Sequence, residues 1–82
     1  MSFHPLDVVV LNADHPAQGL KRGDLGAVVD IYGPDAIEVE FVTASGRTQA
    51  LITLPPSDLR EVGDDDLVAV RPSGVSPNRR AA

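Results

Sequence analysis

The residues that could perform chemistry are few, and their spacing argues against catalysis. Glu38 and Glu40 lie two positions apart in a stretch that alternates apolar and polar residues, so both carboxylates should leave the same face of a strand. A carboxylate pair in acid–base catalysis needs one buried member, because burial raises its pKa. The alternation places both in water, beside Asp30 and Tyr32 on the neighbouring strand. We expect a solvated sheet face that could serve as an acidic contact patch for a basic partner.

Metal-binding and nucleophilic patterns are absent from the sequence. His4 and His15 have no cysteine and no suitably spaced carboxylate beside them, as a zinc site would require. The three aspartates 64–66 lack the alternating ligands and terminal glutamate of a calcium loop. Asp14 precedes His15, but no serine lies in a nucleophile-elbow context. We therefore expect no catalytic residue, no metal and no cofactor, and we do not expect an enzyme.

The motif Gly23-Asp24-Leu25-Gly26 is typical of a turn. Glycines at positions 23 and 26 would permit positive φ or a bulge, and the Asp24 carboxylate could cap the turn. A phosphate-binding loop would need more glycines and a following helix. A structural role is favoured over a loop that faces a ligand, and Gly46 is assigned a similar role in a later hairpin.

Length and charge restrict the class of protein. The chain has 82 residues and no cysteine, which predicts one domain with a small core and without disulfides. Residues 6–62 carry nine acidic and four basic side chains, so this part should repel a phosphate backbone. With an aromatic content of 4%, it also lacks a base-stacking platform, and nucleic-acid binding is not expected. We expect no signal peptide, no membrane span and a cytoplasmic location.

Apolar periodicity is of the β type along most of the chain. Asn12–Asp24 reads as a long, partly ordered loop, and Pro55–Asp58 should form a 3₁₀ turn before the last strand. This pattern predicts an all-β fold, a five-stranded SH3-like barrel over residues 6–62. The predicted strands are Leu6–Leu11, Gly26–Tyr32, Ile37–Thr43, Arg47–Leu54 and Leu59–Val62.

The fourth strand and the C-terminal region carry apolar residues outside the expected core. One face of the strand should hold Thr48, Ala50, Ile52 and Leu54, which leaves Leu51 on the other face, to be covered by a loop or a partner. Residues 63–71 read as an acidic connection followed by an extra edge strand or an arm. A homo-oligomer could form through residues 67–70, and residues 72–82 read as a disordered tail.

The run from Gly19 to Val29 (G-L-K-R-G-D-L-G-A-V-V), followed by V-E-F at positions 39–41, resembles a small bacterial SH3-like family known as a domain of unknown function. Thr48, Leu51 and the Asp58-Leu59-Arg60 segment continue the match, so that it spans about residues 6–62. The resemblance implies the fold and transfers no catalytic residues. Members of the family look like small accessory or immunity-type proteins.

A more distant likeness is to the C-terminal barrel of the nitrile hydratase β subunit and its accessory proteins. They share the Gly-x-x-Gly-x-Val strand and the Val-x-Phe strand, but this sequence lacks their aromatic and histidine-rich segments. Ribosome-associated and transcription-factor barrels with a similar turn use basic loops on RNA, whereas here Asp24 accompanies the two basic residues of the turn.

The sequence favours an uncharacterised, non-enzymatic protein-interaction module that acts as an accessory protein. Three alternatives stay open: an immunity or antitoxin-type protein that neutralises a basic toxin, an RNA- or ribosome-associated barrel using Lys21, Arg22 and Arg47, and an accessory domain of a nitrile-hydratase-like enzyme. The residues assigned to partner binding are Lys21, Arg22, Asp24, Tyr32, Glu38, Glu40 and Leu51.

Overall fold

The structure is a computed structural model and describes residues 3–74. Five antiparallel strands form one open sheet in the order β4-β3-β2-β1-β5, so the all-β prediction is confirmed. Two 3₁₀ turns, Pro16–Gln18 and Pro56–Asp58, are the only helical elements of the described chain. The strands are β1 (Val8–Leu11), β2 (Leu25–Gly33), β3 (Ala36–Val42), β4 (Thr48–Leu54) and β5 (Leu59–Glu61).

The five strands and the second 3₁₀ turn lie where the sequence places them, apart from small shifts at their ends. The long loop after β1 is held to the rest of the domain by two contacts of Asp58. The backbone N–H of Asn12 donates to the Asp58 carbonyl at 2.7 Å, and the His15 ring nitrogen Nε2 lies 3.1 Å from the Asp58 carboxylate. The loop is thereby fixed against the turn that leads into β5.

The hydrophobic core lies on one face of the sheet, which we call the inner face. Ten buried apolar side chains form a single cluster there. The alternation of β3 accounts for much of it, because every second residue from Ile37 to Phe41 points inward and is buried. The other members come from all the remaining strands and from the flanking segments: Phe3, Val9, Leu11, Leu20, Val28, Leu54 and Leu59.

The prediction that Thr48 shares the core-facing side of β4 is wrong. Phe41 pairs with Ala50, but the next residue of β3, Val42, pairs with Thr48. Gln49 is therefore an extra residue, a β-bulge, and it shifts the alternation of β4 by one position. Thr48 is turned to the outer face, where it is exposed.

Glycine is required at two kinds of position. Gly23 and Gly46 have φ of 96° and 90°, in the left-handed region where a side chain is strained. Gly26 lies inside β2 and not in a turn, and its φ is not positive. A Cβ atom there would lie 2.7 Å from Val39 Cγ1 and 2.8 Å from Phe41 Cε2, so a close approach of β2 to the core side chains excludes a larger residue.

We predict that Gly26→Ala destabilises the domain by about 1–3 kcal/mol, because the added methyl overpacks the core against Val39 and Phe41. Urea unfolding of the variant and the native chain measures the difference. Gly63→Ala is the control, since its Cβ would meet only Asp66 Oδ2, at 3.6 Å, and should change stability by less than about 0.5 kcal/mol. Equal unfolding midpoints for the two variants would refute the steric argument.

Candidate functional site

The outer face of the sheet carries a row of exposed and half-buried side chains across four strands. The pairing register aligns Val8 with Ala27, Ala27 with Glu40, and Glu40 with Leu51. Directly paired residues of antiparallel strands share one face, so these four side chains stand side by side. Val8 and Leu51 are 54% and 52% exposed, and the row therefore flanks one carboxylate with uncovered apolar groups.

A second row lies next to the first and is more acidic. Asp30 pairs with Glu38, and Glu38 pairs with Thr53. Asp30 reaches this face because Val29 is an extra residue in the pairing of β2 with β3. Two carboxylates on directly opposed positions repel each other, so this row favours a basic group placed between them.

Two hydroxyl groups fix the carboxylates of this face. A hydrogen bond to Glu38 raises the pKa of the Tyr32 phenol above its usual value. Thr48 Oγ1 donates to Glu40 Oε2 at 2.6 Å. We call Asp30, Glu38 and Glu40, with Tyr32 and Leu51, the acidic face.

A different part of the outer face is covered. Val10 pairs with Leu25 on one side and Arg60 on the other, and it points away from the core because Val9 and Leu11 point into it. Val10 is nevertheless only 4% exposed. It borders a cleft whose other wall is the chain from Asp66 onward, so this segment covers the outer face at β1. We call residues 66–71 the strap.

An ion pair with Arg60 fastens the first end of the strap. Arg60 Nη1 and Nη2 each donate to one oxygen of Asp66 at 2.8 Å, and the backbone N–H of Gly63 donates to the same carboxylate at 2.6 Å. The hydrogen bond from Arg60, aided by that of Gly63, lowers the pKa of Asp66 to about 2. Such bidentate, charge-assisted pairs are stronger than ordinary surface ion pairs.

A second ion pair fastens the other end. Arg71 Nε donates to Asp24 Oδ1 at 2.8 Å, Nη2 donates to Oδ2, and Nη2 also donates to the Gly19 carbonyl at 3.1 Å. Burial raises the pKa of Asp24, but hydrogen bonds from Arg71 and the Lys21 N–H outweigh it, and the pKa lies below its usual value. Asp24 thus closes its turn and holds the strap at once.

Between the two fastened ends, the strap is poorly packed. Leu67, Val68 and Val70 are 93%, 76% and 95% exposed. The cleft between the strap, the Gly23–Leu25 turn and the β3–β4 hairpin has a volume of about 760 Å³. The strap is therefore held by its charged ends and not by its apolar middle. It has no regular secondary structure, so the extra-strand alternative for this segment is wrong.

The structure distributes the predicted partner-binding residues over two places. Tyr32, Glu38, Glu40 and Leu51 lie on the outer face. Lys21, Arg22 and Asp24 lie in the turn before β2, where the backbone N–H of Arg22 donates to the Asp14 carboxylate at 2.8 Å. That they bind a partner stays a prediction.

Sequence reasoning missed the strap and its anchors. The available signal was an aspartate and an arginine, Asp66 and Arg71, that bracket an apolar run; their partners Arg60 and Asp24 are visible only in the fold. Within residues 3–74, no group of three or more His, Cys, Asp or Glu side chains could hold a metal ion. None of the helices described is long and apolar enough to cross a membrane. The predicted tail from position 75 onward lies outside the described residues.

Comparison with known proteins identifies the class and the family. The chain is a small all-β domain of one five-stranded antiparallel sheet, and it belongs to the family described as Domain of unknown function (DUF4926), which matches residues 6–61. The strap follows the matched region. No curated protein and no solved structure matches the chain.

We predict that the Asp66 carboxyl titrates near pH 2. Its folded-state pKa lies below the usual value of 3.8. The Arg60 ion pair therefore contributes its full stability when the pH is above 3.8, and this contribution is lost as the pH falls toward 2. The side-chain carboxyl ¹³C shift, followed by NMR, measures the titration. Arg60→Gln should return the pKa toward 3.8, and an identical titration in both chains would contradict the assigned cause.

Proposed function

We propose that this chain is a non-enzymatic protein-interaction module, an accessory protein whose partner binds the acidic face. One observation carries the proposal: the pairing register gathers three carboxylates and uncovered apolar side chains on one solvent-facing surface. Exposed apolar side chains rimmed by charge are typical of binding surfaces. The hydrogen bonds from Tyr32 and Thr48 hold two of the carboxylates in place before any partner arrives.

The chemistry of this face defines the partner. Asp30, Glu38 and Glu40 attract lysine or arginine side chains, and Leu51 with Val8 offers apolar contact beside them. An acidic surface that meets a basic partner accelerates association and makes it sensitive to salt. A basic toxin neutralised by this chain is the second candidate, and the same charge complementarity supports it.

The fold proposed for the module is an SH3-like barrel. The strand order β4-β3-β2-β1-β5 and the 3₁₀ turn between β4 and β5 support it, as does the loop before β2, whose Gln18 carbonyl accepts a hydrogen bond from Gln49 of β4 at 3.2 Å. We also propose a cytoplasmic location, with which a chain free of cysteine is compatible.

We predict that Glu38→Lys combined with Glu40→Lys weakens partner binding at least about tenfold, because two attractive charges become repulsive. The native chain, immobilised, is used to capture the partner from a native lysate, and surface plasmon resonance then measures the Kd at two salt concentrations. Asp64→Lys with Asp65→Lys is the matched control: it changes the net charge equally at exposed positions away from this face. The proposal fails if both double variants bind equally well.

A further inference from the structure

The strap lies on the outer face with a fixed order of charges. Its first residue, Asp66, is bound by Arg60 of β5, and its last, Arg71, is bound by Asp24 of the turn before β2. Four residues separate them, and the pairing of Val10 with both Arg60 and Leu25 places the two anchoring sites on either side of β1. Arg60 therefore offers a binding site for a carboxylate, and Asp24 offers a binding site for a guanidinium.

Between these two binding sites lies apolar surface that the strap does not fill. Leu25 and Val42, which are 38% and 52% exposed, border the cleft of about 760 Å³, while the strap's own Leu67 and Val70 are almost completely exposed. An occupant held only at its charged ends adds little apolar burial, and burial is the main source of affinity. The strap is thus a weak occupant of a surface that a better-packed segment could use.

We propose that the strap occupies a peptide-binding groove, and that a partner's extended segment displaces it. The partner segment carries an acidic residue that binds Arg60, an arginine five positions later that binds Asp24, and apolar side chains between them that pack on Val10 and Leu25. The charge of the two anchors fixes both the chemistry and the direction of this segment. The inference rests on the proposed role as an interaction module, and it assigns a second binding surface beside the acidic face.

The strap then acts as a competitor built into the chain. A tethered segment competes at an effective concentration of the order of millimolar. The apparent affinity of the chain for a partner segment is therefore scaled by the fraction of molecules whose groove the strap leaves free. Releasing the strap should therefore strengthen binding of a segment supplied in trans.

The test uses a synthetic peptide of residues 63–74 of this chain, with blocked ends and a fluorescent label. The full-length receptor carries Asp66→Asn and Arg71→Gln, which remove both anchors of its own strap with little change of shape. We expect this released receptor to bind the peptide about tenfold more tightly than the native chain does, by fluorescence polarisation. Methyl NMR shifts of Val10 and Leu25 should report the contact.

Two peptide variants test the order of charges. Exchanging Asp66 and Arg71 within the peptide should weaken binding, although composition and net charge stay the same. In a released receptor that also carries Arg60→Glu, the native peptide should bind weakly, and a peptide with Asp66→Arg should restore binding.

Three results would overturn the proposal. One is a released receptor that is folded by circular dichroism and does not bind the peptide. Another is equal binding of the native and charge-exchanged peptides. The third is a doubled mass of the native chain in light scattering, together with no binding of the peptide to the released receptor. This would mean that the straps of the native chain exchange between two copies. A released receptor with Glu38→Lys and Glu40→Lys should still bind the peptide, so failure of the acidic face and failure of the groove are distinguishable.

Discussion

Both faces of the sheet depend on one constraint, the alternation of side chains along β2, β3 and β4. Extra residues interrupt this alternation at two places. If Val29 were a regularly paired strand residue, the period of two would carry Asp30 into the core and Ile31 into water. Because Val29 is bulged, Asp30 stands opposite Glu38 and Ile31 packs against the core cluster. Gln49 has the corresponding effect on β4. It turns Thr48 outward, where the hydroxyl reaches Glu40. The acidic face thus depends on the bulges at Val29 and Gln49 as well as on the alternation of polar and apolar residues.

A small core explains why charged anchors matter here. A domain of this size buries little apolar surface and is marginally stable. The four middle residues of the strap are exposed, so packing alone could not hold this segment. The two bidentate arginine–aspartate pairs hold the strap by directional bonds at its ends. The contacts that hold the strap are therefore concentrated at its two ends.

The parts of the structure that follow from local pattern could be predicted, and those that depend on long-range register could not. Alternation located β3 and the outward position of Leu51, and two prolines located the turn before β5. Nothing in the local sequence marks Gln49 as a bulge, because bulges arise from the pairing of two strands. The contact of Arg71 with Asp24 joins residues 47 positions apart. Nothing in the sequence around either residue points to the other.

The chain has a net charge of −5, and the ion pairs determine which of its carboxylates are neutralised. Arg60 and Arg71 neutralise Asp66 and Asp24 at the strap, so these carboxylates contribute little to the field outside the domain. Glu38 and Glu40 are bound by neutral hydroxyls, which orient a carboxylate and leave its charge intact. The carboxylates of the acidic face therefore contribute to the negative potential outside the domain. In the proposed function, a basic partner is attracted to that surface. The proposed groove would select a segment that carries both signs of charge, so the two surfaces together would recognise a partner with greater specificity than either one alone.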